Sequence, residues 1–229
     1  MSATPDPSRL HHAIMESFVE RGVAPTTADL AEALSVSEPE VEAALRALDD
    51  AHGVVLHPGS TDIWVAHPFS AAPSAFVVRS TDTTWWAPCA WCALGVAAVV
   101  DADVEIVTTL GADGSQATLR VAGGRIAPSD HVVHFSVPMR RAWDNVVYTC
   151  STMLLFASES DVDAWCVRHA IPRGDVQPVE RVWALARAWY GNHRAPDWRK
   201  WTVDEAREIF GRVGLDGPIW ALPEAAERF

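Results

Sequence analysis

Cys89 and Cys92 stand three residues apart in the stretch Thr84-Trp-Trp-Ala-Pro-Cys89-Ala-Trp-Cys92-Ala-Leu-Gly-Val96, and an apolar run to Val100 follows them. If that run is a helix, an i, i+3 spacing puts both sulfurs on one face of its first turn. Pro88 then suits the first helical position, where a missing N–H costs nothing. A helix N-terminus favours negative charge, so a thiolate there gains as a nucleophile and as a soft-metal ligand. Two of the four cysteines lie in this one turn.

Several elements must surround it. Residues 10–21 show helical spacing through Leu10, Ile14, Phe18 and Val19. Thr26 or Thr27 can cap a helix to Leu34, and Ser37 with Glu40 reads as a capping box opening a third helix to Leu48. Gly53–His57 and Asp62–Ala66, about a Pro58-Gly59 turn, read as a hairpin. The expectation for residues 1–67 is a winged helix-turn-helix-like module. Its third helix carries Glu38, Glu40, Glu42, Asp49 and Asp50 against Arg46 alone, and the whole chain has a net charge of −12. Both weigh against a nucleic-acid partner, because binding neutralises phosphates with Lys and Arg.

Residues 68–74 read as a linker and 75–80 as a short strand. Residues 104–110, 116–121 and 131–137 are short and rich in β-branched residues, as strands of an antiparallel sheet would be. Residues 146–156, carrying Cys150, read as one buried strand. Ser158 caps a helix to about His169, and residues 178–190 and 202–213 supply two more helices. The fold class expected is α+β, with a core at 75–177 and a helical C-terminal extension at 178–229.

At 229 residues, 49% hydrophobic and 21% charged, the chain has ordinary globular composition. No apolar run reaches the roughly 20 residues that span a bilayer, and Met1–Ser8 is no signal peptide. A cytoplasmic location with no membrane partner is the expectation. Cysteines there stay reduced and serve as ligands, catalytic groups or core fillers.

Three stretches resemble the organomercurial (alkylmercury) lyase family. Trp86-Ala-Pro-Cys89-Ala-Trp-Cys92-Ala-Leu resembles the family's aromatic-Ala-x-Cys-Ala-x-Asp-x-Leu segment. Thr149-Cys150-Ser151, leading to Phe156-Ala157-Ser158, resembles its second cysteine and the Phe-Ala-Ser before the next helix. The order of parts agrees as well, over about residues 10–170. The resemblance implies a degenerate winged helix joined to an α+β core and no organic cofactor. It also implies protonolysis of a carbon–mercury bond by two cysteines and an aspartate. By position Cys89 and Cys150 match the cysteines, and Cys92 stands where the family has aspartate. A thiol there could donate a proton or become a third sulfur ligand. Cys89, Cys92 and Cys150 are therefore the expected catalytic and mercury-binding residues, facing a small-molecule substrate or a soft metal ion.

Other readings stay open. The chain could be a non-enzymatic thiolate binder of mercury, copper or zinc, or a family descendant acting on another substrate. Cys89-x-x-Cys92 could serve thioredoxin-like redox chemistry, although no βαβ alternation follows. A structural zinc site would need a fourth ligand, for which His131, His134 and Cys166 are available. Cys166 and His134 otherwise read as core residues. The stretch Trp189–Arg199 could be an aromatic lid over the thiols, or a packed corner with Asp197 paired to Arg194 or Arg199.

Overall fold

The computed structural model describes residues 5–223. Helices α1 (Pro7–Arg21), α2 (Thr27–Leu34) and α3 (Glu38–Asp50) come first. The last two open on the capping boxes Thr26/Asp29 and Ser37/Glu40. Strands β1 (Val55–Leu56), β2 (Ile63–Ala66), β3 (Phe69–Ser70), β4 (Phe76–Arg79) and β5 (Thr84–Ala87) follow. After α4 (Ala90–Val100) come β6 (Val104–Thr109), β7 (Gln116–Ala122) and β8 (Arg125–Ile126). These strands form one antiparallel sheet in the order β1-β2-β3-β5-β4-β6-β7-β8. Strand β7 alternates buried and exposed residues along its whole length, as a half-covered strand should.

A second, three-stranded sheet has the order β10-β9-β11, from β9 (Val132–Phe135), β10 (Leu155–Phe156) and β11 (Asp175–Pro178). Around it lie α5 (Val146–Thr152), α6 (Glu159–His169), α7 (Val179–Tyr190) and α8 (Val203–Arg212). The fold is α+β.

Four local expectations give way. Phe69–Ser70, read as linker, pair with both β2 and β5 and so carry the large sheet through that region. Residues 131–137 contribute β9 to the second sheet rather than the first. Residues 175–178 form the strand β11, with α7 starting only at Val179. Residues 146–156 are not one strand: Asn145 accepts a hydrogen bond from the Tyr148 N–H and opens α5, and only Leu155–Phe156 are extended. Their β-branched composition favours a strand, but a capping side chain and the surrounding core override so weak a preference. Cys150 consequently stands on a helix.

Helix α4 is the centre of the molecule. Every residue from Ala90 to Ala97 is buried, as expected of a helix apolar all round. It packs against α7 at Gly95, where a Cβ would fall 2.4 Å from Tyr190 Cδ2 and 2.8 Å from Pro68 Cβ. The Tyr190 ring cannot easily retreat, because Trp91 and His193 stand against it at 5.9 and 4.8 Å between ring centroids. A methyl group at position 95 therefore overpacks the core, at about 1–3 kcal/mol. The helix-propensity gain of alanine over glycine, about 1 kcal/mol, offsets only part of it. Gly95→Ala is expected to lower the denaturation midpoint, and equal or greater stability in urea unfolding would contradict this packing.

Candidate active site

Strand β5 delivers Cys89 to the start of α4 as its N-cap, with extended backbone at φ −158° and ψ 175°. Its sulfur accepts the Cys92 backbone N–H at 3.3 Å. Pro88 thus precedes the cap instead of occupying the first helical position, because the cap needs a side-chain acceptor and sulfur supplies it. The Ala90 N–H donates to the Met153 carbonyl at 3.0 Å, and the Met153 N–H to the Cys150 carbonyl at 3.1 Å. These two bonds tie the end of α5 to the start of α4. Cys150 is thereby brought within interaction range of both Cys89 and Cys92.

Two further groups complete the cluster. His67, in the turn between β2 and β3, places Nε2 3.6 Å from Cys150 Sγ. The Tyr190 hydroxyl, at the end of α7, lies 3.4 Å from Cys92 Sγ. Ligating atoms of His67, Cys92 and Cys150 all lie within 4.8 Å of one another.

The three thiols do not ionise alike. Burial pushes Cys89 up, but hydrogen bonds from Cys150, Cys92 and the Cys92 N–H outweigh it and hold this thiol well below its ordinary value. Burial raises Cys92 well above the ordinary value, helped by the neighbouring Cys89 and opposed by its contacts with Cys150 and Tyr190. Cys150 is raised as well, first by its hydrogen bonds with Cys89 and Cys92 and then by burial. Cys89 is thus the thiol of the three that ionises first, and Cys92 and Cys150 hold their protons longer. His67 is lowered to about 4, chiefly by burial, so its imidazole is neutral at physiological pH.

The cluster opens on a cavity of about 80 Å³. Trp91, Trp143, Trp189, Trp198 and Trp201 are among its walls, with Lys200 also on its lining. Lys200 Nζ lies 4.9 Å from the Trp143 ring centre, and burial lowers its pKa to about 8. The segment from Trp189 is at once a packed corner and a wall of this cavity. Its ion pairs are Arg194 with Glu16 at 2.8 Å and Arg199 with Glu205 at 2.6 Å, rather than pairs to Asp197.

The other sequence candidates lie elsewhere. His131 bonds Ser129 Oγ at 2.7 Å, and His134 Nε2 meets the Arg173 carbonyl at 2.7 Å. Cys166 Sγ sits 3.6 Å from His134 Nε2. None of these three lines the cavity. His67 and the Tyr190 hydroxyl were not singled out from the sequence. His67 is 22 positions before Cys89, and only the folding of β3 against β5 makes them neighbours.

Ultraviolet thiolate absorbance followed against pH should show one of the four cysteines ionised at neutral pH, with the rest ionising only above the ordinary ~8.5. Cys89→Ser should remove the neutral-pH signal. A signal that survives this substitution would place the anion on another sulfur.

No curated protein matches the sequence. Among solved structures, the crystal structure of the mercury-bound form of MerB2 is similar, with a TM-score of 0.64 and 20% identity over 84% of this chain and 92% of that one. At that identity the likeness establishes the fold. The family profile of MerB, alkylmercury lyase, matches residues 69–191, more than half of the 229. The matched span runs from β3 to the end of α7 and takes in all three clustered cysteines, so this chain belongs to the alkylmercury lyase family.

Proposed function

We propose that the protein cleaves the carbon–mercury bond of an organomercurial by protonolysis. The observation that carries this reading is the convergence of three buried cysteines at one apolar cavity, with Cys89 shifted down and Cys92 and Cys150 shifted up from the ordinary thiol value. Protonolysis needs a soft nucleophile to take the metal and a proton for the departing carbon. This cluster holds both within an apolar cavity.

The Cys89 thiolate attacks the mercury of R–Hg–X, forming a sulfur–mercury bond as X⁻ leaves. The bound metal then acidifies the neighbouring thiols, since a coordinating thiol gives up its proton. As Cys150 sulfur bonds to mercury, its proton passes to Cys92, and the Cys92 proton passes to carbon. The electron pair of the carbon–mercury bond forms the new C–H bond. The products are R–H, mercuric ion held by Cys89 and Cys150, and a Cys92 thiol restored to its starting state. Tyr190, hydrogen-bonded to Cys92, keeps that sulfur oriented towards the cluster. The aromatic walls exclude water and favour the apolar R group.

Cys92 performs here the proton transfer that the family assigns to aspartate. Cys92→Ala should retain mercurial binding through Cys89 and Cys150 while turnover falls by about 10²–10⁴-fold, the usual contribution of a positioned acid. Cys92→Asp should keep or raise turnover, and Cys89→Ala should abolish both binding and turnover. The measurement is hydrocarbon released from phenylmercury, as benzene. If neither the wild type nor Cys92→Asp releases any, the lyase reading fails and a sequestering thiolate site remains, with mercuric ion bound tightly and affinity lost in all three variants.

A further inference from the structure

Cys92 and His67 together make a donor set that a two-cysteine, one-aspartate centre lacks. His67 lies two residues before the span that matches the family, and the lyase chemistry above gives it no step. We infer that His67, Cys89, Cys92 and Cys150 form a tetrahedral Cys₃His site for zinc ion, which competes with the organomercurial for the same sulfurs.

The geometry favours this ion. Zinc takes thiolate sulfur at about 2.3 Å and imidazole nitrogen at about 2.0–2.1 Å in a tetrahedron, which sets nitrogen–sulfur separations near 3.6 Å and sulfur–sulfur separations near 3.8 Å. His67 Nε2 already stands 3.6 Å from Cys150 Sγ. With the ligating atoms of His67, Cys92 and Cys150 within 4.8 Å of one another, closure requires movements of about 1 Å or less. Cys89 interacts with both other sulfurs but lies outside that 4.8 Å set, and its side chain supplies the fourth donor by turning towards the ion. The four donors come from the β2–β3 turn, the end of β5, α4 and α5, and all four residues line the same cavity. His67 is held edge-on to Trp143 at 5.6 Å and 83°.

The donor chemistry points the same way. Imidazole with thiolate is a borderline set suited to zinc, whereas mercuric ion is served by the soft thiolates alone. The mercury chemistry above engages Cys89 and Cys150, while zinc engages all four groups. Zinc binding therefore displaces protons from Cys92 and Cys150 and occupies the attacking thiolate. A softer metal reverses this by taking the sulfurs.

The inference is independent of turnover, and its test uses no mercurial. The full-length reduced protein, stripped with chelator, is titrated with zinc against a chromophoric chelator, and separately with cobalt(II) as a spectroscopic stand-in. Expected are one zinc per chain, intense visible bands of tetrahedral cobalt, and a sulfur-to-cobalt charge-transfer band that weakens in Cys150→Ser. His67→Gln should bind zinc at least about tenfold more weakly, and Cys166→Ser, altered outside the cavity, should match the wild type. Near-ultraviolet circular dichroism checks that His67→Gln is folded, and the wild-type cobalt spectrum decides the coordination geometry even if it is not. Substoichiometric zinc, a weak octahedral cobalt spectrum, or undiminished affinity in folded His67→Gln would overturn the inference. Zinc binding without hydrocarbon release would remove the lyase reading alone, and hydrocarbon release without zinc binding would remove this inference alone.

Discussion

Meeting the buried Cys89 sulfur with hydrogen-bond donors is the constraint on which this structure depends. An isolated buried charge costs far more than a domain can tolerate, so it must be met by hydrogen-bond donors or be neutralised by a proton. Cys89 is 1% exposed, and the donors it meets are the Cys92 N–H and two thiols. The N-terminus of α4 adds the partial positive charge of its unsatisfied N–H groups. Each donor arrives from a different part of the chain. The large sheet presents Cys89, α4 presents Cys92, and the bond between Ala90 and Met153 brings in Cys150 from the end of α5. A fold that failed to assemble these pieces would leave the Cys89 sulfur without the donors that hold its pKa down.

The helix that carries the site is also the helix that carries the core, which links packing to chemistry. Because α4 is buried from Ala90 to Ala97, its orientation is fixed by neighbours on every side. Gly95 and Cys92 share one face at i, i+3 spacing. The absence of a side chain at Gly95 lets the Tyr190 ring approach closely enough for its hydroxyl to reach Cys92. Trp85, on β5, donates its indole N–H to the Phe18 carbonyl at 2.6 Å and so couples the strand leading into Cys89 to α1. Helix α1 thereby takes part in placing Cys89, although no cysteine comes from it.

The sequence was most legible where one local pattern decides the outcome. Capping residues located the starts of α2, α3 and α6, because an N-cap is a short-range device written in one or two side chains. The Cys89–Cys92 spacing and the three family-like stretches marked the sulfurs that the fold brings together. Residues 146–156 were misread for an equally physical reason. An apolar, β-branched run fits a strand by composition, and only the Asn145 cap and the packing around α5 make it helical. Phe69–Ser70 lie in a Pro- and Ser-rich stretch whose pairing partners are β2 and β5, one of them beyond local reach. His67 was hidden for the same reason, since its significance is a contact between residues 83 positions apart.

A thiol at position 92, where the resembling family segment has aspartate, differs from a carboxylate in more than its identity. An aspartate has an ordinary pKa near 3.9. Beside the Cys89 thiolate it would either share a second negative charge with the cluster or hold its proton only through strong perturbation, as paired carboxylates do. A thiol begins near 8.5 and is pushed higher here by burial and by Cys89, so its proton is retained without special arrangement. Because the three sulfurs interact, the proton count belongs to the group rather than to any single residue. A metal cation reverses this balance, since each thiol that binds it loses its proton. A thiol that keeps its proton until a metal binds can release that proton as it becomes a ligand.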